Sequence, residues 1–149
     1  MNGGRLTKCG SDSIILVCYP YNLLNTITTI KLIIMLNIVY AFDENYNKQA
    51  FVSICSLIEK INVNCNIFII HNKSSTFEKY KNKIEKTFKN VNIDIQTFKK
   101  ENVYFPNLEN AHVSEATYYR LFFDKYIPTN IDKFLYLDAD VICLNSPID

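Results

Sequence analysis

The feature that most constrains this chain is a regular alternation, beginning near Met35, of short apolar runs with amphipathic stretches. The runs are rich in Ile, Val and Phe, which is typical of buried strands. The stretches between them place apolar side chains three and four residues apart, which is typical of helices that cover a sheet. This order predicts an α/β fold with a mainly parallel, twisted sheet. The strands are predicted at residues 36–42, 65–71, 91–98 and 133–137.

The three predicted helices have apolar faces, and serine side chains precede two of them. Ser74 or Ser75 is expected to cap the second helix and Ser114 the third, because serine accepts hydrogen bonds from the unpaired N–H groups of a first turn. Pro128 follows the end of the third helix. The apolar faces comprise Ala50, Ile54, Leu57, Ile58 and Ile61 in the first helix, Phe77, Tyr80, Ile84 and Phe88 in the second, and Tyr118, Leu121 and Phe122 in the third.

The composition excludes several classes of protein. The chain has 149 residues, 48% of them hydrophobic, which is enough for one domain with a core. A net charge of +1 gives no electrostatic basis for nucleic acid or an anionic membrane as the main partner. The five cysteines are odd in number and lack a C-x-x-C spacing. Neither a zinc site nor a closed disulfide set is therefore expected, and we predict a reducing, cytoplasmic location.

Residues 1–34 show no steady period, and we predict that they are an extension of a domain that covers residues 35–149; the alternative is an artefact of the chosen start codon. Their apolar run at residues 14–19 is interrupted from Pro20 onward. It falls short of the roughly 20 apolar residues that a spanning helix needs. A weak signal peptide or a segment that associates with a membrane surface stays open as an alternative for this region.

Two acidic residues, Asp138 and Asp140, follow the last predicted strand. Side chains two residues apart in an extended chain point to the same side, so the two carboxylates are expected to lie close together. Such like charges repel unless a cation lies between them, and carboxylate oxygens suit Mg²⁺ or Mn²⁺. Parallel sheets bind ligands beyond the carboxyl ends of their strands. This position favours a metal site over the alternative, a solvated turn with two surface aspartates.

Two further segments contain candidate binding residues. Asp43 and Asn45 lie between the first strand and the first helix, where they could bond a base or a ribose. The alternative is that they cap the helix. Arg120 could clamp a phosphate or orient a carboxylate, and the alternative is a surface arginine. Neither His71, at the end of a buried strand, nor His112, in a loop, is predicted to be a ligand.

Three segments, taken in this order, resemble glycosyltransferase family 8. They are residues 39–46 (VYAFDENY), 112–121 (HVSEATYYRL) and 132–141 (DKFLYLDADV). The resemblance runs from about Met35 to Asp149, and the last segment is its most specific part. It implies a GT-A fold, a nucleotide-sugar donor, commonly UDP-glucose or UDP-galactose, and transfer with retention of anomeric configuration.

The resemblance also implies roles for particular residues. Asp138 and Asp140 would ligate Mn²⁺ (or Mg²⁺) bridging the donor diphosphate, and Asp138 would also lie near the donor ribose. Asp43 and its neighbours would hold the uracil and ribose, and Arg120 would reach toward the donor sugar or its phosphates. We assign no catalytic residue. The residues expected to bind the donor are Ala41, Asp43, Asn45, Tyr46, Arg120, Asp138 and Ala139.

The function expected from the resemblance is Mn²⁺-dependent transfer of a hexose from a UDP-sugar to a saccharide or glycolipid acceptor such as lipopolysaccharide. Family members continue past the D-x-D motif with a third metal ligand, usually a histidine, and a segment that grips the diphosphate. Because this sequence ends at Asp149, the alternative is a truncated remnant that binds nucleotide weakly or not at all. A phosphatase of the haloacid-dehalogenase type is less favoured, because Val141 follows the motif where threonine is usual.

Overall fold

The computed structural model describes residues 35–100, 105 and 114–147, together with the backbone of two short strands nearer the N-terminus. The described strands form one six-stranded sheet in the order β1-β2-β6-β3-β4-β5. The strands are β1 (Leu6–Thr7), β2 (Ile14–Cys18), β3 (Met35–Phe42), β4 (Asn64–His71), β5 (Val91–Thr97) and β6 (Lys133–Leu137).

The four strands predicted from the sequence form the parallel part of this sheet. β3 pairs with β4 along its whole length, from Met35 opposite Asn64 to Phe42 opposite His71. β4 pairs in parallel with β5, and β3 pairs in parallel with β6. Helical crossovers join β3 to β4 and β4 to β5, as a parallel sheet requires. The predicted α/β fold with a mainly parallel sheet is confirmed.

Two segments of residues 1–34 also join the sheet. β2 pairs antiparallel with β6 over five residues, from Ile14 opposite Leu137 to Cys18 opposite Lys133. β1 pairs antiparallel with β2 at the sheet edge. The sequence pattern around β2 is apolar but gives no sign of its partner, because that partner lies at the other end of the chain. A domain boundary at residue 35 stays a prediction.

Alternating side chains of the strands enter two cores, one on each face of the sheet. Even-numbered positions of β3, such as Ile38 and Tyr40, pack under α1 (Asn47–Ile58) and α2 (Glu78–Thr87). Odd-numbered positions, such as Val39 and Ala41, pack under the segment that precedes β6. Both faces of the central strands are therefore covered, which explains why their sequences are apolar throughout.

The segment before β6 differs from the predicted α-helix. Residues Glu115–Phe122 form a 3-10 helix, and only the short α3 (Phe123–Tyr126) that follows is an α-helix. With three residues per turn, Ala116 and Tyr119 face the sheet and are buried, whereas Leu121 is 70% exposed. The predicted apolar face is therefore wrong at Leu121, because it assumed 3.6 residues per turn, whereas Tyr118 and Phe122 do pack against Phe105.

The expected serine caps are also wrong. Ser114 precedes the 3-10 helix with extended backbone angles, but its side chain makes no capping hydrogen bond. Ser74 begins a 3-10 turn, Ser74–Thr76, that leads into α2. Its hydroxyl accepts a hydrogen bond from Thr97 at 2.7 Å instead of capping the helix.

Among the described residues, no helix is long and apolar enough to cross a membrane.

Candidate functional site

The candidate site lies where two neighbouring parallel strands end. β3 and β6 pair with Ile38 opposite Leu135 and Val39 opposite Tyr136, so their carboxyl ends lie at the same edge of the sheet. The 3-10 helix Glu115–Phe122 packs against β3 and closes one side. Between them is a cleft of about 200 Å³ lined by Ala41, Phe42, Tyr46, Ser114, Ala116, Thr117, Arg120, Asp138, Ala139 and Asp140.

This cleft brings together most of the residues predicted from the sequence. Six of them line it: Ala41, Tyr46, Arg120, Asp138, Ala139 and Asp140. They come from the end of β3, the 3-10 helix before α3 and the turn after β6, which are far apart in the sequence. The structure thus places them at one location, and what they bind stays a prediction.

Asp43 and Asn45 are not among the residues that line the cleft. Asp43 is buried, and its Oδ1 accepts a hydrogen bond from the backbone N–H of Asn45 at 2.9 Å. It therefore caps the 3-10 helix Glu44–Tyr46, which is the alternative that the sequence left open for this residue. Capping fixes the backbone that carries Tyr46, whose exposed ring lies at the cleft.

The carboxylate of Asp138 is held by two donors. The hydroxyl of Tyr136 donates a hydrogen bond to its Oδ1 at 2.7 Å. Nη2 of Arg120 lies 2.9 Å from the same oxygen and forms an ion pair with it. Neither bond uses the second carboxylate oxygen, Oδ2. The orientation of the Asp138 carboxylate is therefore set by two donors on one side.

Arg120 is held by three different contacts. Its Nε donates to the backbone carbonyl of Thr117 at 3.0 Å, and its Nη2 bonds Asp138. Its guanidinium carbon lies 5.0 Å from the centroid of the Tyr136 ring, a cation–π contact. The side chain is 31% exposed, so the alternative of a freely solvated surface arginine does not hold.

Tyr136 connects these groups and was not singled out from the sequence. Its side chain is buried, and burial, followed by the hydrogen bond to Asp138, raises the pKa of its hydroxyl far above the ordinary value. The hydroxyl is therefore a neutral donor at physiological pH. Its position two residues before Asp138 on a strand, on the same side, was a signal that could have identified it.

The two aspartates lie in a turn and not in an extended chain. The backbone N–H of Val141 bonds the carbonyl of Asp138 at 3.2 Å, and Ala139 between them is buried. Asp138 is half-buried and Asp140 is exposed. The premise that an extended backbone aligns the two carboxylates is wrong, although both side chains still line the cleft.

The donor set fits a hard divalent cation in part. Two carboxylates at one cleft are oxygen ligands of the kind that Mn²⁺ and Mg²⁺ take. Within residues 35–100, 105 and 114–147, no group of three or more His, Cys, Asp or Glu side chains is placed to hold a metal ion. Arg120 already offsets the charge of Asp138, so a metal is not required to relieve the repulsion between the two aspartates.

His71 is a structural residue behind the site. The buried imidazole accepts a hydrogen bond at Nδ1 from the backbone N–H of Lys73 at 2.8 Å. The proton therefore sits on Nε2, which donates to Oδ1 of Asn47 at 2.9 Å. Burial is the main cause that lowers the pKa of His71, so the ring is neutral. It ties the end of β4 to the start of α1.

A parallel sheet whose adjoining strand ends open into an acidic cleft is the architecture of the GT-A glycosyltransferases. Solved structures of such enzymes superpose on this chain. The bifunctional glycosyltransferase WbbM gives a TM-score of 0.57 at 22% identity, covering 83% of this chain and 21% of its own. An active-site mutant of LgtC gives a TM-score of 0.59 at 24% identity, and the match covers 74% of this chain and 40% of the LgtC chain. The galactosyltransferase LgtC with donor and acceptor sugar analogues gives 0.56 over the same shares.

The family follows from the sequence comparison. The model of glycosyl transferase family 8 matches residues 37–149, so the chain belongs to this family. A relative, lipopolysaccharide 1,2-glucosyltransferase of Escherichia coli (strain K12), is 31% identical over 117 residues. That match takes in 72% of this chain and 32% of the relative. The chain thus spans about a third of the length of the curated relative that it matches.

Proposed function

We propose that this chain supplies the donor-binding part of a glycosyltransferase that moves a hexose, glucose or galactose, from a UDP-sugar to a saccharide or glycolipid acceptor such as lipopolysaccharide. The observation that carries the proposal is the cleft at the ends of β3 and β6, where Asp138, Asp140 and Arg120 converge in a chain of family 8. The similarity to lipopolysaccharide 1,2-glucosyltransferase supports the acceptor class.

The residues of the cleft divide into two chemical groups. Asp138 and Asp140 would hold Mn²⁺ or Mg²⁺, which when bound would offset negative charge on the donor diphosphate as it leaves. Arg120 adds a second positive charge, in the form best suited to phosphate oxygens. On the side of β3, the exposed ring of Tyr46 offers a flat surface for the base, next to the backbone of Ala41.

The size of the cleft limits what it can do alone. A volume of about 200 Å³ is below the roughly 300–1,000 Å³ typical of small-molecule sites. The described residues also offer a cation only two carboxylates. These two observations favour, as a second candidate, a chain that binds nucleotide without turnover.

Calorimetric titration with UDP, with and without Mn²⁺, tests the proposal. We expect binding that depends on Mn²⁺ in the wild-type chain, and its loss in Asp138→Asn and in Asp140→Asn, because each change removes a charged ligand. Asp124→Asn, an exposed aspartate on α3, is the matched control and should bind as the wild type does. Unchanged UDP affinity in both Asp138→Asn and Asp140→Asn would contradict the assignment of these two residues as metal ligands. Binding without hydrolysis or transfer of the hexose from UDP-glucose or UDP-galactose would favour the second candidate.

A cytoplasmic location, with the chain at a membrane surface where a glycolipid acceptor would lie, is part of the proposal. Cys55, Cys65 and Cys143 are free thiols, which suits a reducing compartment. Burial raises the pKa of each of these thiols, so they are poor nucleophiles and metal ligands.

A further inference from the structure

We propose that Tyr136 is a positioning residue of the donor site, which fixes both Asp138 and Arg120 through one side chain. The inference rests on the proposed function for its consequence, because it concerns how the cleft is prepared for a cation and a diphosphate. Its structural part stands on contacts within this chain alone.

One tyrosine acts on two charged groups in different ways. Its hydroxyl donates to Oδ1 of Asp138 at 2.7 Å, and its ring supports the guanidinium of Arg120 at 5.0 Å. Arg120 and Asp138 in turn meet at 2.9 Å, so the three side chains form a closed triangle. A closed set of contacts resists rotation of any one member more than a chain of contacts does.

The tyrosine is itself held firmly. It is 1% exposed in the core between the sheet and the 3-10 helix, where its ring packs against Phe123 at 5.3 Å. A support that does not move transfers its own fixed position to the groups bonded to it. Asp138 and Arg120 are each about 30% exposed and would otherwise sample several rotamers.

The two bonds to Asp138 end on the same oxygen, and this determines which way the carboxylate points. Tyr136 is neutral, so its hydrogen bond adds direction without offsetting charge, whereas Arg120 adds charge. With Oδ1 directed toward these two donors, Oδ2 is the oxygen left for a cation. We therefore expect the hydroxyl of Tyr136 to matter for cation-dependent binding even though it does not contact the ligand.

A matched control exists on the neighbouring strand. Tyr40, on β3, is also fully buried and its hydroxyl also bonds one side chain, Oγ of Ser53, at 3.1 Å. Its ring lies in the other core, under α1. Tyr40→Phe and Tyr136→Phe therefore remove the same atom from equally buried positions, and of the two only Tyr136 contacts Asp138 and Arg120.

The experiment compares Tyr136→Phe, Tyr136→Leu and Tyr40→Phe with the wild-type chain. UDP affinity is measured with and without Mn²⁺ by calorimetry, and the Nε–H signal of Arg120 is followed by ¹⁵N NMR. Thermal unfolding confirms that each variant is folded. Tyr136→Phe removes the bond to Asp138 but keeps the ring under Arg120, and Tyr136→Leu removes both.

We expect Tyr136→Phe to weaken Mn²⁺-dependent UDP binding about tenfold, the scale of one hydrogen bond to a charged group. Tyr40→Phe and Tyr136→Phe should lower the melting temperature by similar amounts. Tyr40→Phe should leave UDP affinity unchanged. The Arg120 Nε–H signal should shift in Tyr136→Phe and lose its ring-current shift in Tyr136→Leu.

Equal UDP affinity in Tyr136→Phe and Tyr40→Phe, or an Arg120 signal that stays in place in both Tyr136 variants, would overturn the inference. If the wild-type chain shows no Mn²⁺-dependent binding, the proposed function fails by itself. The positioning role is then decided by the Arg120 signal alone, which requires neither metal nor nucleotide.

Discussion

Asp138 meets a positive charge from its own chain before any ligand arrives. Arg120 lies 2.9 Å from its Oδ1, the kind of contact that a divalent cation would also make with a carboxylate. The sequence predicted both as site residues and predicted that Arg120 could orient a carboxylate, but not which one, because the two residues lie on different elements. The sequence did not indicate Tyr136 either, because a tyrosine in an apolar strand is expected to be a core residue. Its role becomes visible only from the hydrogen bond between its hydroxyl and Asp138.

Arg120→Met tests the role of this internal charge. Without the guanidinium, Mn²⁺ alone should bind Asp138 and Asp140 more tightly, because the positive charge beside Asp138 that repels the cation is gone. UDP should bind about tenfold more weakly in the presence of Mn²⁺, because a charged hydrogen-bond donor is lost. Calorimetry measures both affinities.

Lys125→Met, which removes an exposed positive charge on α3, is the control for Arg120→Met. It should change neither affinity. The loss of UDP affinity in Arg120→Met should be smaller than in Asp138→Asn or Asp140→Asn. A loss as large as theirs would show that the arginine, and not the aspartates, dominates the binding of nucleotide.

His71 should make stability depend on pH in a narrow window. Its pKa is lowered in the folded chain, so its contribution to stability is complete above the unfolded value of about 6.5. The contribution is lost as the pH falls through the lower folded value, because the unfolded chain then binds the proton more tightly. Urea unfolding between pH 7.5 and 5.5 measures this slope.

The chain has two histidines, and this supplies the control for His71. His71→Gln should be less stable at pH 7.5 and should show a flatter dependence on pH. His112→Gln should keep the wild-type slope. An unchanged slope in His71→Gln would mean that other groups cause the dependence.

At the scale of elements, the strands were more predictable than the helix that closes the site. Strands β3, β4 and β6 are apolar runs that are largely buried, and β5 alternates apolar with polar residues, so local sequence patterns suffice to locate all four. The 3-10 segment Glu115–Phe122 carries a pattern that fits an α-helix equally well. The segment packs against β3, a tertiary contact that no local pattern encodes.

Asparagine side chains cross the sheet in register and were not noticed in the sequence. Asn66 on β4 donates to Oδ1 of Asn37 on β3 at 3.2 Å and accepts from Asn92 on β5 at 3.5 Å. Asn37 donates to the backbone carbonyl of Lys133 on β6 at 3.4 Å. The row connects all four parallel strands at their amino ends, opposite the cleft, and helps to fix their register.

Asn66→Ala should lower the free energy of unfolding by about 1 kcal/mol, since the central amide loses one good hydrogen bond and one long one. Asn92→Ala, at the exposed edge with only the long bond, should lower it by less than about 0.5 kcal/mol. Urea denaturation gives both values. Equal losses in the two variants would show that the hydrogen bond between Asn66 and Asn37 adds nothing to stability.

At the scale of the whole molecule, the sheet does not begin where the sequence pattern begins. β2 covers the edge of β6 that would otherwise be open, and β6 carries Tyr136 and leads into Asp138. The pairing of residues 14–18 with residues 133–137 could not be predicted, because it is antiparallel and joins opposite ends of the chain. A local sequence pattern indicates a strand but not the distant strand with which it pairs.

Removal of residues 1–34 tests whether this pairing matters. Without β2, the chain should unfold at a temperature lower by at least about 5 °C, because an edge of β6 is exposed. UDP should also bind more weakly, because β6 positions the acidic turn. Differential scanning calorimetry and titration provide the two measurements.

Removal of residues 1–10, which takes away β1 and leaves β2, is the matched control for that truncation. It should have little effect, since β1 does not pair with β6. If the chain without residues 1–34 melts and binds as the full chain does, the domain begins at about residue 35 and β2 contributes little to it.

The place of β6 in the sheet has a consequence for synthesis. β6 lies between β2 and β3, yet it follows both of them in the chain. On the ribosome, the two flanking strands therefore emerge well before the strand that separates them. Before Leu137 has left the exit tunnel, β2 and β3 cannot both occupy their final positions with β6 between them. Among the described strands, β6 is the last to be translated, and the cleft is complete only after it. Shorter nascent chains therefore lack the site.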